Sequence, residues 1–459
     1  MFCLKNIIIL QVIQVACSKL NAARREEVKL RLAKLLYTAV VVCGLMLPWS
    51  ASAAGITNYP PLVNPSHWTE QNKSGDTVIL DAKGVAAFNA KVRAASRSMP
   101  DLANYPATMS GDALKTKIMD YSILDDDLYL HGNKVSENYK NILRRQSNVS
   151  AIPKSVGVQY AVTVRRTAVR ALPTGEGLYY YAGDRDFDAL QETMLDPGEP
   201  VAVLHTSANG YFYYVQAVNY SGWVSKFSLA LTDKNTWSTF VKPQKFLVVT
   251  DAEYNLKTDG EQVLYQQGAR LPVDSVQSDT YTVVAPVRTK AGMLQKQKLL
   301  VPKAASAVHY GYLPYTSNNL VSSAFKFYGK PYGWGGLKNS VDCSSLVFNA
   351  YRTVGIVLPR NADQQELTAG TKKKLSGSAQ ERAAVISKLM PGAALYMDGH
   401  CLMYIGNINQ TPYTIHALGS YFSKGRLMRE MKVLVSDLSL QRSSGNTMLN
   451  ELQTAIEYK

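Results

Sequence analysis

The sequence predicts an α+β chain of several domains. Three observations carry this. Residues 54–154 mix loops with helical spacing, residues 155–303 fall into short β-branched and aromatic runs, and the segment from Gly311 onward reads helix first and strands after. With 459 residues, 46% of them hydrophobic and 19% charged, the chain has material for about two to four cores.

The N-terminus reads as an address rather than as fold. Lys29, Arg31 and Lys34 precede a short apolar run over residues 35–47, and small residues follow to a cleavage site after Ala53. A membrane anchor needs about 20 apolar residues, more than this run holds. The reading is therefore a cleaved export signal over residues 1–53, with a start near Val28 as a variant. It implies a protein of the periplasm or cell envelope, with no stable membrane span after cleavage. Loss of the seven Lys and Arg and two Glu before Ala54 lowers the formal charge from +15 to +10. That surplus suits an anionic envelope polymer or simply a solvated basic surface, and export argues against nucleic acid.

Residues 54–154 form an expected helical N-terminal region. Residues 85–96 and 112–121 have helical spacing, with Ser110 as cap and Leu114, Ile118 and Met119 on one face. Next come strands at 159–165, 200–206, 211–217 and 222–227, which suggest a small barrel over residues 155–238. Runs at 245–249, 281–287 and 299–301 suggest a second, more divergent barrel over residues 239–308. The stretches around Gly198-Glu-Pro-Val, Tyr211-Phe-Tyr-Tyr-Val and Tyr220-Ser-Gly-Trp resemble bacterial SH3-like domains.

Residues 309–459 carry the chemistry. Helices are expected at 319–328, 343–354 and 379–389, and strands at 393–397, 401–406 and 413–417. Cleavage at Ala53 leaves two cysteines, Cys343 and Cys401, too few for a disulfide scaffold. A bridge between them is disfavoured, because neighbours on a strand point to opposite sides: if His400 faces Cys343, Cys401 turns away. Cys343 follows Gly333, Gly335 and Gly336, which allow close backbone approach. It also opens a helix, where backbone N–H groups and the macrodipole favour a thiolate. Of six histidines, His400 and His416 lie downstream on consecutive strands. A cysteine nucleophile needs such a base, and the base needs a third group to orient it.

Several separated motifs now line up: Pro331-Tyr-Gly-Trp-Gly-Gly, Asp342-Cys-Ser-Ser-Leu-Val, Gly355-Ile-Val-Leu-Pro-Arg-Asn-Ala-Asp-Gln-Gln, Pro391-Gly, His400 and Ile415-His-Ala. In this order, over about residues 311–420, they resemble NlpC-type cell-wall cysteine peptidases of papain-like fold. The barrels resemble the branch in which an N-terminal stabilising region and two SH3-like domains precede the peptidase.

The resemblance implies Cys343 as nucleophile, His400 as general base and acid, and His416 as orienting residue. It implies hydrolysis of the γ-D-glutamyl to diamino-acid bond of peptidoglycan (murein) stem peptides. Asp342 and Ser344 would bind a free N-terminal L-Ala amine, with Tyr220 and Glu199 as the first barrel's contribution and Tyr332 lining the pocket. Ser345 and Leu402 replace common glycines and Ala393 a common Asp, outside the triad. No metal or cofactor is implied, and no zinc, paired-cysteine or phosphate-loop motif occurs. Two readings stay open beside this one: a non-catalytic wall-binding protein, and an amidase or acyltransferase using the same Cys–His site.

Overall fold

The computed structural model describes residues 55–96 and 98–459. The expected export signal, its cleavage site, Cys3, Cys17 and Cys43 lie outside the described residues. Among the described residues, no helix is long and apolar enough to cross a membrane.

Each N-terminal helix starts where a short polar side chain caps a backbone N–H. Asn64, Asp81, Ser110 and Ser136 cap α1 (Pro65–Gln71), α2 (Ala82–Ala95), α3 (Gly111–Ile118) and α4 (Glu137–Gln146). Leu114 and Ile118 are buried as expected, but Met119 is 54% exposed because α3 ends one residue before it. This region does not stand apart. Ile56–Thr57 is the edge strand of the C-terminal sheet, and Trp68, Phe88, Val92 and Met99 share a core with Cys401 and the apolar face of the Cys343 helix. Asn89 fastens α2 by donating to Gly355 O (2.8 Å) and accepting from Val357 N (3.0 Å).

The first β unit is a seven-stranded antiparallel sheet in the order Leu229–Thr232, Gln159–Thr163, Pro200–Thr206, Phe212–Gln216, Ser221–Ser225, Thr167–Arg170, Gln191–Leu195. The four expected strands are all present, within two residues at either end. Its inner residues Val162, Leu204, Tyr214 and Trp223 meet Trp237 and Phe240 of α5 (Lys234–Val241). Residues 246–310 form a second β unit. It has five antiparallel strands and a hairpin of Glu253–Thr258 with Glu261–Gln266, around Leu247, Val249, Tyr265, Leu271, Val283 and Val301.

The C-terminal unit packs α6 (Ser317–Phe325) and α7 (Cys343–Thr353) on a seven-stranded antiparallel sheet. Its order is Ile56–Thr57, Arg426–Asp437, Thr411–Ser423, His400–Ile408, Ala394–Met397, Thr454–Glu457, Thr371–Lys374. Leu346, Val347, Ala350 and Tyr351, one face of α7, are each 0% exposed. They meet Cys401, Met403 and Ile405, while Leu402 and Tyr404 face the second core. Alternation thus holds along this strand, and α7 is held rigidly at its middle.

Candidate active site

The cap of α7 sets the position of Cys343. The Asp342 carboxylate accepts Ser345 N–H (2.9 Å), and the Ser345 hydroxyl accepts Asp342 N–H (2.8 Å), a reciprocal capping box. Ser345, which stands where a glycine is common, supplies half of it. Asp342 also accepts from Arg360, Gly335 N–H and the Ser344 hydroxyl. Burial alone would raise this carboxyl, but the Arg360 charge and hydrogen bond override it and hold Asp342 below the usual carboxylate range. Arg360 also reaches the Ser344 hydroxyl (2.8 Å) and Thr193 of the first β unit (2.8 Å).

The glycine loop meets a partner that the sequence did not name. Gly335 and Gly336 have φ of +54° and +84°, and a Cβ on them would lie 2.7 Å from the Gln191 and Met194 side chains respectively. What approaches this backbone is the strand Gln191–Leu195 of the first β unit, and Gln191 donates to Gly335 O (2.9 Å). The loop docks the first β unit beside Cys343.

Cys343 is half-buried, and His400 and His416 are 5% and 0% exposed. His400 Nε2 lies 2.8 Å from His416 Nδ1, and His416 Nε2 lies 2.9 Å from the Ser436 hydroxyl. With Nε2 so engaged, Nδ1 is the His400 nitrogen left for a hydrogen bond with the Cys343 sulfur. The Cys343 thiol is held well below its ordinary range, first by a hydrogen bond from the Cys401 thiol and then by the hydrogen bond and charge of His400, against the opposing effect of burial. Burial keeps His416 neutral and pushes the Cys401 thiol well up, so Cys401 remains a protonated donor.

The expectation that Cys401 turns away from Cys343 is therefore overturned. His400 is the first residue of its strand, opposite Met397 across the turn at Asp398 and Gly399, so strict two-sided alternation does not bind it. Both neighbours act on the sulfur, and both cysteines are free thiols.

Tyr332 is 6% exposed, and burial followed by the nearby Cys343 charge raises its hydroxyl well above the ordinary range. Its ring meets Phe187 at 5.8 Å, and Phe187 meets Trp334 at 5.5 Å. Tyr220 hydrogen-bonds to Glu192 and to Asn361, in the field of Arg360. Glu199 lies elsewhere. With Asp196 it binds Arg352, in the last turn of α7, at 2.9 and 3.1 Å, and Asp196 also binds Arg166 at 2.7 Å. The acidic residue beside Tyr220 is Glu192. Sequence reading missed it because one strand carries both signs of burial, and only the alternation of buried Gln191, Thr193 and Leu195 would have turned Glu192 toward the other side. It also missed Arg360, present in a quoted motif without a role, and Ser436, whose signal was the apolar run Val433-Leu-Val before it.

Among the described residues, no cluster of three or more His, Cys, Asp or Glu forms a metal site. A thiolate, an imidazole able to take and return its proton, and a neutral imidazole behind it make the groups of covalent acyl transfer.

Known proteins agree in fold and family. Residues 329–430 match the NlpC/P60 family, and residues 179–225 match the SH3 domain of SH3b1 type. Dipeptidyl-peptidase 6 of Lysinibacillus sphaericus is 26% identical over 230 residues, 48% of this chain and 78% of that protein. The bifunctional muramidase/DL-endopeptidase CwlT of Bacillus subtilis (strain 168) is 34% identical over 89 residues, 19% of this chain and 25% of that protein. A solved NlpC/P60 endopeptidase from Photobacterium damselae subsp. piscicida has the same fold, with a TM-score of 0.68 at 19% identity, over 84% of this chain and 95% of its own. Residues 329–430 carry an NlpC/P60 family match and residues 179–225 an SH3b1-type SH3 match, in a chain that shares its fold with a solved NlpC/P60 endopeptidase.

Proposed function

We propose that the chain is a cysteine endopeptidase that hydrolyses the γ-D-glutamyl to diamino-acid bond of peptidoglycan stem peptides and prefers those with a free N-terminal L-Ala. The observation that carries this is the Cys343 thiol, lowered beside His400, with His416 at 2.8 Å behind the ring. In this reading the thiolate attacks the γ-carbonyl carbon. Backbone N–H groups at the start of α7, which no helical carbonyl can reach, receive the negative oxygen. His400 gives its proton to the leaving amine, and a thioester to Cys343 remains. Water, activated by His400, then releases the acid and restores the thiol.

The preference for a free amine is supported by the carboxylates beside the nucleophile. Glu192 and Tyr220 reach from the first β unit toward Arg360 and Asn361, close to Ser344. Asp342 is already committed to four protein donors, so in this reading it acts on an ammonium by its charge more than by direct bonding. The same reading assigns residues 155–238 and 239–308 to two SH3-like barrels and places the exported protein in the periplasm or cell envelope.

The test is a digest of murein tripeptide and tetrapeptide, each with a free or acetylated L-Ala amine, with the fragments identified by mass. Release of L-Ala-D-Glu from the free-amine peptides alone is the expected result. Equal cleavage of blocked peptides or of whole sacculi removes the amine preference. Release of intact stem peptide from glycan points instead to an amidase, and wall binding without any product to a binding protein.

A further inference from the structure

Behind the two histidines stands a hydroxyl to which the reaction as described gives no task. Ser436 lies on the strand Arg426–Asp437, is 0% exposed, and places Oγ 2.9 Å from His416 Nε2. Its position is secured on both sides. Ser436 is registered with Ile56 of the edge strand and with Thr414, and its carbonyl accepts the Thr414 hydroxyl (3.3 Å).

Proton counting decides what this hydroxyl does. A neutral imidazole carries one N–H, so its two nitrogens are one donor and one acceptor. Once His400 has taken the Cys343 proton, both its nitrogens are donors, and its Nε2–H must point to His416 Nδ1. His416 then has its own hydrogen on Nε2, and in this buried setting that hydrogen needs an acceptor. The Ser436 oxygen is the group in reach. In the opposite arrangement Ser436 donates to His416 Nε2, His416 Nδ1–H points to His400, and the His400 hydrogen faces the sulfur. A ring so protonated cannot accept the thiol proton.

We propose that Ser436 is a positioning residue of this site: as the terminal acceptor of the chain Cys343–His400–His416–Ser436, it satisfies the Nε2–H of the His416 tautomer that leaves His400 free to act as base. This rests on the nucleophile and base assigned above. Ser436 touches neither substrate nor sulfur and acts through two rings. Removal of its oxygen leaves a buried N–H without a partner whenever the thiolate and imidazolium form, so that state is penalised.

The test titrates the thiol, whatever the natural substrate. Iodoacetamide inactivation is measured against pH for wild type, Ser436→Ala and Ser436→Thr, alongside kcat and KM on the free-amine murein tripeptide. Ser436→Ala is expected to move the midpoint of Cys343 alkylation to higher pH and to lower kcat about 10-fold with KM little changed, less than the roughly 10²–10⁴-fold of losing a general base outright. Ser436→Thr, which keeps the hydroxyl, is expected to restore both. In wild-type protein with ¹⁵N-labelled histidine, the His416 ring is expected to carry its hydrogen on Nε2, a readout that does not depend on any variant folding. Ser436→Ala with wild-type midpoint and kcat, or a His416 hydrogen on Nδ1, overturns the proposal. A wild-type thiol that titrates at the ordinary value of about 8.5 would instead defeat the nucleophile assignment itself.

Discussion

His400 Nε2 and His416 Nδ1 stand 2.8 Å apart, with ring planes inclined at 62°, so one ring nitrogen meets the other's lone pair rather than its face. In the proposed mechanism this pairing means that the base is oriented by a neutral group. His416 lies in a fully buried place, where burial first and the His400 charge second keep it unprotonated.

Replacing His416 with Phe keeps a ring of similar size and removes the acceptor. His416→Phe is expected to lower kcat by about 100-fold or more, in the range of lost general-base function, with KM nearly unchanged. His416→Asn, whose amide oxygen can accept from His400, should lose less. Steady-state rates on the free-amine tripeptide check both, and equal losses would deny the acceptor role.

Cys401 contributes through its S–H. Because its hydrogen bond is the leading cause of the lowered Cys343 thiol, Cys401→Val is expected to shift the midpoint of Cys343 alkylation upward in pH. Activity at acidic pH should then fall more than activity at pH 8. An unshifted alkylation profile would remove Cys401 from the mechanism.

Arg360 and Asp342 form a buried pair that also touches Ser344 and Thr193. Arg360→Met strands a buried carboxylate and is expected to cost about 3–5 kcal/mol. The double variant Arg360→Met/Asp342→Asn should recover part of that loss, because the stranded charge is gone. Urea unfolding of the three proteins measures this; additive losses would contradict the coupling.

The same pair predicts an acid limb of stability. The folded Asp342 carboxyl lies below its unfolded value of about 3.9, so its contribution is present above that pH and is lost as pH falls through the folded value. Wild type should therefore lose urea resistance below about pH 4, while Asp342→Asn shows a smaller drop. Parallel curves for the two proteins would contradict this.

How much of this was legible from the sequence follows from how local each feature is. The helix at Cys343 was readable because Leu346, Val347, Ala350 and Tyr351 repeat at helical spacing, and those four are fully buried. The strands of the first β unit were readable because β-branched and aromatic residues alternate between glycine-rich turns. Partners brought together by folding were not readable. Glu192 and Glu199 differ by seven positions along the chain, yet one meets Tyr220 and the other Arg352, a choice made by strand register and domain docking. Gly335 and Gly336 announced a close approach without naming Gln191 and Met194 as what approaches. The N-terminal helices gave no sign that Trp68 would lie against Tyr413 (5.4 Å) in the core of the C-terminal unit. Cys401 misled because alternation, correct from Cys401 onward, does not keep His400, the first residue of the strand, on the opposite side.

The most direct measurement is the mass of the enzyme quenched in acid during turnover of the free-amine tripeptide, with peptide mapping of the adduct. An L-Ala-D-Glu acyl group on the peptide containing Cys343, absent from a folded and inactive Cys343→Ala variant, is the predicted result. Undiminished cleavage by Cys343→Ala, or an acyl group on any other residue, would contradict the account.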